Sequence, residues 1–363
     1  MTQRRLLFYT HALVGGGAER VWARLAAGFA ARGDEVDFVV DFEAQENLAV
    51  LGGEARLSVL PKGHAAATAA LARILRARRP DASLSAISVS NLKHAVAATL
   101  AGRRDRAIIS YHGFYESEPE RLSNIGYRLT RPLSRVVAAT VAVSDSLRRD
   151  LVARFAVAPE RVTTIPNPAA PDPFPAPLSP AALALRKKLV VAIGRLAPDK
   201  NVGVLLQAFA RLRNADAQLL ILGDGPERAW LEAKARDLGI DARVAMPGFS
   251  ADTGAALDRA RCFALSSRRE SFGLVCVEAL AHGLPCVVAN CGGPAEIVNS
   301  PAFGAVVAVD AVDELAQAID VALDAPGDPA ARQARARDFT LDAALDRYDR
   351  LIERVMTHAR SPS

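Results

Sequence analysis

Residues 166–180 read PNPAAPDPFPAPLSP, seven prolines in one short stretch. Proline has no backbone N–H and its ring clashes with the preceding turn, so no helix or central strand survives that density. A linker over 167–180 is predicted, dividing the 363 residues in two. Length points the same way, because a single core rarely grows past about 250–300 residues. Each half repeats one grammar of short apolar run, loop and amphipathic run, which marks alternating β and α elements. The fold class expected is α/β, with two Rossmann-like doubly wound domains facing a cleft, at 1–166 and 181–337. The tail, 338–363, reads as a helix to about residue 358.

In the first half, residues 6–9 form a strand and 10–17 a loop ending in Gly15, Gly16 and Gly17. A helix over 19–32 follows, with Val21, Trp22, Leu25, Ala26 and Phe29 on one face and Gly33 as its stop. Residues 36–40 are the next strand. The glycines could bring the backbone close to a diphosphate, and Asp41 could act as a ribose-binding acid. A dinucleotide fingerprint starting at Gly15 would need glycine at position 20, however, where Arg20 stands. Further strands are expected at 57–60, 84–88, 107–110, 140–143 and 163–165, with helices over 65–79, 92–100 and from Ser144 to about residue 155. His112 lies just past a strand's C-terminal end, where open α/β sheets bind ligands. Between residues 120 and 137, Arg121, Arg128, Arg131 and Arg135 form a basic stripe beside Leu122, Ile125, Leu129, Leu133 and Val136. That pairing suits an anionic membrane surface, although Pro132 interrupts an ideal helix.

The second half restarts with a strand at 189–193 and the loop GRLAPDKN, residues 194–201. A helix over 202–213, a strand at 218–222, a helix to 238 and a strand at 244–246 come next. Residues 262–265 are a buried strand, 266–271 a loop, and helical spacing begins at Phe272. Gly283 stops that helix and Pro285 forbids its return. Residues 286–289 are another buried strand. The N–H groups of Ser271, Phe272 and Gly273 would open a helix N-terminus, a ready anion site. Gly273 lets a ligand approach the backbone. Glu270 and Glu278 are acceptors and suit hydroxyls. A phosphate cradle flanked by hydroxyl readers describes a nucleotide-sugar site.

Composition narrows the classes. Half of the residues are apolar, yet no run approaches a membrane span. No apolar core precedes a cleavage site near the N-terminus, so a cytoplasmic protein is expected. The four cysteines, Cys262, Cys276, Cys286 and Cys291, include no C-x-x-C and fall mostly in apolar runs, which predicts buried thiols and no metal site. Residues 1–165 hold 23 Lys+Arg against 16 Asp+Glu, a basic half suited to an acidic partner. No nucleic-acid motif appears, and no nucleic-acid partner is expected.

The string from Cys262 to Glu296 resembles the signature of retaining glycosyltransferases of family four, also called glycosyl transferases group one, whose fold is GT-B. Gly16-Gly17-Ala18-Glu19 is similar to that family's N-terminal loop, and Gly194-Arg195-Leu196 with Lys200 to its diphosphate loop. The resemblance implies that Arg195 and Lys200 contact the donor's diphosphate, with Gly16 and Gly17 supplying phosphate contacts from the first domain. Glu270 would hold a sugar hydroxyl and Glu278 the ribose. Ser271, Phe272, Gly273 and Leu274 would surround the donor, and Gly248 and Phe249 would lie against the base. His112 would stand near the sugar and the acceptor, and the last helix would return to the first domain. Ser271 departs from the glycine that many members carry.

The chain has no Asp-x-Asp anywhere. Fixed cations would then meet the charge of the leaving diphosphate, and neither metal nor cofactor is implied. The expected reaction moves a sugar, from UDP by preference, onto a lipid-linked or surface-polysaccharide precursor. The expected site of action is the cytoplasmic face of a membrane. An epimerase on the same fold, an oxidoreductase and a degenerate binding module are the rivals; Arg20 disfavours the oxidoreductase, and intact Arg195, Lys200, Glu270 and Glu278 disfavour the binding module.

Overall fold

The computed structural model describes residues 3–14, 16–117 and 121–359, with the side chains of 117, 121 and 122 left aside. Gly15 and the side chain of Arg121, both singled out above, therefore lie outside the described residues. The chain forms two units. One runs to Pro168 and takes in the helix Leu341–His358, and the other is Ala169–Thr340.

The first unit is built on β1 (Arg5–Thr10), β2 (Glu35–Val40), β3 (Arg56–Val59), β4 (Ala82–Ala86), β5 (Ala107–Tyr111), β6 (Ala139–Ala142) and β7 (Val162–Thr164). They lie in the order β3-β2-β1-β4-β5-β6-β7, every pair parallel. Strands covered by helices on both faces need apolar or internally bonded residues throughout. β1 and β5 are accordingly buried along almost their whole length. Phe8 on β1 meets Trp22 edge-on at 5.5 Å and stacks on Phe38 at 6.5 Å. The helix Leu341–His358 packs on Gly17–Ala31, bringing Tyr348 to 6.2 Å from Trp22. A Cβ at Gly28 would come within 2.8 Å of the tip of Leu345, which would have to shift to admit it. Arg32 reaches Asp346 and Asp349 on that helix at 2.8 and 3.0 Å.

The second unit holds β8 (Leu189–Ile193), β9 (Gln218–Leu222), β10 (Val244–Gly248), β11 (Cys262–Leu265), β12 (Cys286–Ala289) and β13 (Gly304–Val307). Their order is β10-β9-β8-β11-β12-β13, again all parallel. Leu205, Leu206, Phe209, Ile221, Phe263 and Val287 are buried in this unit. In both sheets the order reverses at the first strand, β1 or β8, which places a topological switch point beside each.

Several sequence expectations shift. The stretch 120–137 is two helices, Arg121–Arg128 and Thr130–Val136, rather than one interrupted helix. Pro132 falls in the first turn of the second, where its missing N–H costs nothing. The helix expected from Phe272 begins at Leu274, because Gly273 takes a left-handed conformation at φ 95°. The tail helix begins at Leu341. β13 and the helices Val312–Asp324 and Pro329–Arg337 were not anticipated.

Candidate active site

Most of the singled-out residues lie at the C-terminal ends of β8 and β11, next to the second switch point. The loop after β8 carries Arg195, Asp199 and Lys200, and the loop after β11 carries Glu270. Lys200 Nζ meets Glu270 Oε2 at 2.5 Å and Asp199 at 3.6 Å. Burial disfavours the charged ammonium, but Glu270 and then Asp199 more than offset it, and the Lys200 pKa sits above the ordinary lysine value. Arg195 is 69% exposed with Asp199 3.8 Å away. It has room to turn toward a ligand.

Backbone and side-chain bonds lock the two loops together. Arg268 N donates to Asp199 O at 2.9 Å. Ser266 Oγ donates to the carbonyls of Lys200 and Asn201. Asn201 sits at φ 54° and donates from Nδ2 to Asp310 Oδ1 at 2.8 Å. Asparagine tolerates the left-handed region better than most residues. Lys200 is thus held by a turn whose geometry the next residue supplies.

Glu270 is fixed on its other side. Its N–H donates to Cys291 O, and its carbonyl accepts from Gly293 N, both at 2.9 Å. A Cβ on Gly293 would lie 2.4 Å from Phe272 Cα and 2.6 Å from Ser271 O, so only glycine allows this approach. Gly273 precedes the helix Leu274–Ala281. The amides of Leu274 and Val275, at the start of that helix, have no partner within it. The result is a cation, a carboxylate and a helix N-terminus held close together.

Glu278, on the same helix, accepts from Thr253 Oγ1 at 3.1 Å. Gly248 ends β10 at φ 106°, and its carbonyl accepts from Gly223 N at 2.8 Å. Phe249 is 81% exposed. Sequence reasoning missed Asp199, Asn201, Thr253, Arg268 and Asp310. Asn201, an asparagine just before a helix, carried a readable signal; Thr253 carried none.

All four cysteines are buried and unbridged. Burial pushes the thiols of Cys262 and Cys291 up to about 12. Burial also raises Cys276, with Cys286, Cys291, Glu270 and Glu278 adding to it. None is a thiolate at neutral pH, and nucleophilic cysteine chemistry is disfavoured.

Gly16, Gly17 and His112 belong to the first unit. Gly16 stands before the helix Gly17–Ala31 with no side-chain cap. His112 follows β5, with Nε2 3.0 Å from Ser110 Oγ and Trp22 edge-on at 5.5 Å. Burial lowers its pKa to about 4, so it is a neutral imidazole at neutral pH. His94, fully buried between Ser83 and Ser85, is lowered to about 3 by burial. Unfolded, both take a proton near their ordinary value of about 6.5. Below that pH the unfolded chain binds more protons, so stability falls as pH falls. His94 alone should cost about 2 kcal/mol between pH 7 and pH 5, with His112 acting in the same direction. Urea midpoints across that range measure the effect, and a flat profile would contradict it.

Residues 15–172 match the family model described as Glycosyltransferase Family 4, and residues 179–339 match the one described as Glycosyl transferases group 1. The chain belongs to glycosyltransferase family four. N-acetyl-alpha-D-glucosaminyl L-malate synthase of Bacillus anthracis is 35% identical over 114 residues, 31% of this chain and 30% of that protein. D-inositol 3-phosphate glycosyltransferase of Mycolicibacterium paratuberculosis is 33% identical over 195 residues, 49% of this chain and 44% of that protein. The chain therefore spans less than half the length of either relative. Among solved structures, HepE of Anabaena in complex with UDP superposes with a TM-score of 0.83 at 20% identity, covering 96% of this chain and 99% of that one. The lipopolysaccharide outer core galactosyltransferase WaaB gives 0.78 at 18% identity, covering 95% and 98%. These likenesses establish the GT-B fold for this member of family four.

Proposed function

We propose that this glycosyltransferase moves a hexosyl or N-acetylhexosaminyl group from a UDP-sugar to a lipid-linked or surface-polysaccharide precursor, retaining the anomeric configuration. The observation that carries the reading is the meeting of Lys200, Glu270 and the Leu274–Ala281 helix N-terminus beside one switch point. UDP is favoured because HepE, a structural neighbour, is known in complex with UDP and with UDP-glucose. The acceptor class is favoured by relatives such as the diphospho-undecaprenol N-acetylgalactosaminyltransferase of Campylobacter jejuni.

The bond between the anomeric carbon and the β-phosphate oxygen breaks, and its electron pair stays on that oxygen. Lys200, Arg195 and the first amides of the helix stabilise the growing charge. Glu270 holds a hydroxyl of the transferred sugar, and Glu278 holds the ribose. Gly248 and Phe249 border the base, and the backbone of Ser271 and Phe272 borders the diphosphate, the Phe272 ring being buried against Phe339 at 5.7 Å. In the first unit Gly17, the first residue of its helix, offers a backbone N–H, whereas that of Gly16 is already donated to Val14 O at 2.8 Å and leaves Gly16 only a close backbone approach. His112, neutral, orients a hydroxyl. With retention, the acceptor oxygen bonds on the face the phosphate leaves, and its proton passes to the departing phosphate oxygen.

Calorimetric titration with UDP, UDP-glucose and GDP tests the donor. UDP should bind at least about tenfold more tightly than GDP, roughly 1.4 kcal/mol. Equal affinity would remove the uridine preference. Transfer should persist in excess chelator, since Arg195 and Lys200 already supply the cations. Loss of activity that magnesium or manganese restores would overturn metal independence.

The reading places the enzyme on the cytoplasmic face of a membrane. No described helix is long and apolar enough to cross one, so contact would be peripheral. Arg128, Arg131 and Arg135 are exposed, as are Ile125 and Leu129 beside them. Changing these three arginines and Arg121 to glutamate should weaken sedimentation with anionic vesicles, as should salt. A wild-type protein that ignores such vesicles at low salt would remove the membrane role.

A further inference from the structure

The first sheet has its own switch point, between β1 and β4, and the functional reading so far draws there only on the glycines that follow β1. Tyr9 is the next-to-last residue of β1, His11 follows the strand, Asp41 and Phe42 follow β2, and Lys93 comes from the helix Ser88–Leu100 after β4. These side chains converge. Tyr9 OH donates to Asp41 Oδ1 at 2.9 Å. His11 Nδ1 lies 2.7 Å from Asp41 Oδ2, which Lys93 Nζ also contacts. Asp41 and Lys93 are 11% and 7% exposed. Burial alone would raise the Asp41 carboxyl, but the bonds from His11, Lys93 and Tyr9 bring it below the ordinary aspartate value.

An ionised Asp41 accepts, so His11 Nδ1 carries the proton and donates. In the neutral imidazole Nε2 is left as an acceptor, and it has no partner among the described residues. The imidazole is 44% exposed. Phe42, 43% exposed, meets it edge-on at 4.8 Å and 88°. A fixed hydroxyl acceptor therefore stands beside an open aromatic face. Lys93 and Asp41 cancel each other's charge, so the cluster offers an anion nothing. Asp41 already takes three donors and is mostly buried, which also counts against the dinucleotide reading.

We infer that His11 and Phe42 form an acceptor subsite for a neutral pyranose, whose apolar face packs on Phe42 while a hydroxyl donates to His11 Nε2. Tyr9, Asp41 and Lys93 hold the imidazole in place and touch no sugar. This rests on the proposed function, because an acceptor subsite has meaning only in a glycosyl transfer.

The test assays transfer from UDP-glucose, UDP-galactose and UDP-N-acetylglucosamine to octyl glycosides of glucose, galactose, mannose and N-acetylglucosamine. Saturation-transfer NMR with the matching methyl glycosides accompanies it. His11→Ala and Phe42→Ala should each raise the acceptor KM at least about tenfold and erase the methyl glycoside signals. UDP affinity and donor hydrolysis without acceptor should stay within about twofold of wild type. Phe42→Trp keeps a ring face and should retain acceptor binding. If the alanine variants keep the wild-type acceptor KM, or the wild type binds none of these glycosides, the subsite is wrong while the donor chemistry stands. If the wild type neither binds UDP nor turns over any donor, the proposed function falls and the subsite falls with it.

Discussion

Replacing Lys200 by alanine should lower kcat by about two to three powers of ten, with a much smaller loss of donor affinity. In the proposed reaction the ammonium meets the β-phosphate most strongly as it leaves, so its contribution is concentrated in the transition state. The structure adds a reason for its strength. Lys200 is mostly buried beside Glu270 and stays charged, so it needs no reorganisation when charge appears on the donor. Arg195, far more exposed, should matter less when removed alone. Steady-state rates beside calorimetric donor binding separate the two effects. If neither Lys200→Ala nor Arg195→Ala slows transfer, the chemistry does not sit at this loop.

Glu270→Ala and Glu278→Ala should part company over the bare nucleotide. Glu270 is assigned to the sugar, so its loss should weaken UDP-sugar binding by roughly ten- to a hundredfold, the range of a hydrogen bond to a charged group. UDP itself should bind at least as well as before, because the ion pair with Lys200 is gone and the ammonium faces the diphosphate alone. Glu278 is assigned to the ribose, common to both ligands, so both should weaken together. Binding of UDP and UDP-glucose to each variant decides it. Should Glu270→Ala lose UDP as badly as Glu278→Ala does, the division of labour between the carboxylates is wrong.

Both sheets were legible where their strands are continuous apolar runs between glycine or proline signals. β1, β8, β11 and β12 are of that kind. β13 was not, because GAVV has one buried residue at a sheet edge and no alternation. The helix Pro329–Arg337 was hidden by its arginines. Arg332 is 3% exposed, which its charge alone would never have indicated, and its guanidinium donates to the carbonyls of Gly283, Ala302 and Pro326. In the candidate site, Arg195, Lys200, Glu270 and Glu278 could be named from spacing and resemblance. Their partners could not. That Lys200 faces Glu270, seventy positions on, and that Thr253 meets Glu278, depends on which loops the strand order makes neighbours.

The helix Leu341–His358 belongs to the first unit yet follows the whole of the second in the chain. Proteins are made from the N-terminus at about 5–20 residues per second, and contiguous domains can fold as they emerge. Here the unit begun first is completed last. Until Leu345 and Tyr348 leave the ribosome, the side of Gly17–Ala31 that they cover stays open to solvent or to a chaperone. The second unit can reach its final packing during that wait. A released chain ending before residue 341 would accordingly hold one protease-resistant unit and one that is still sensitive.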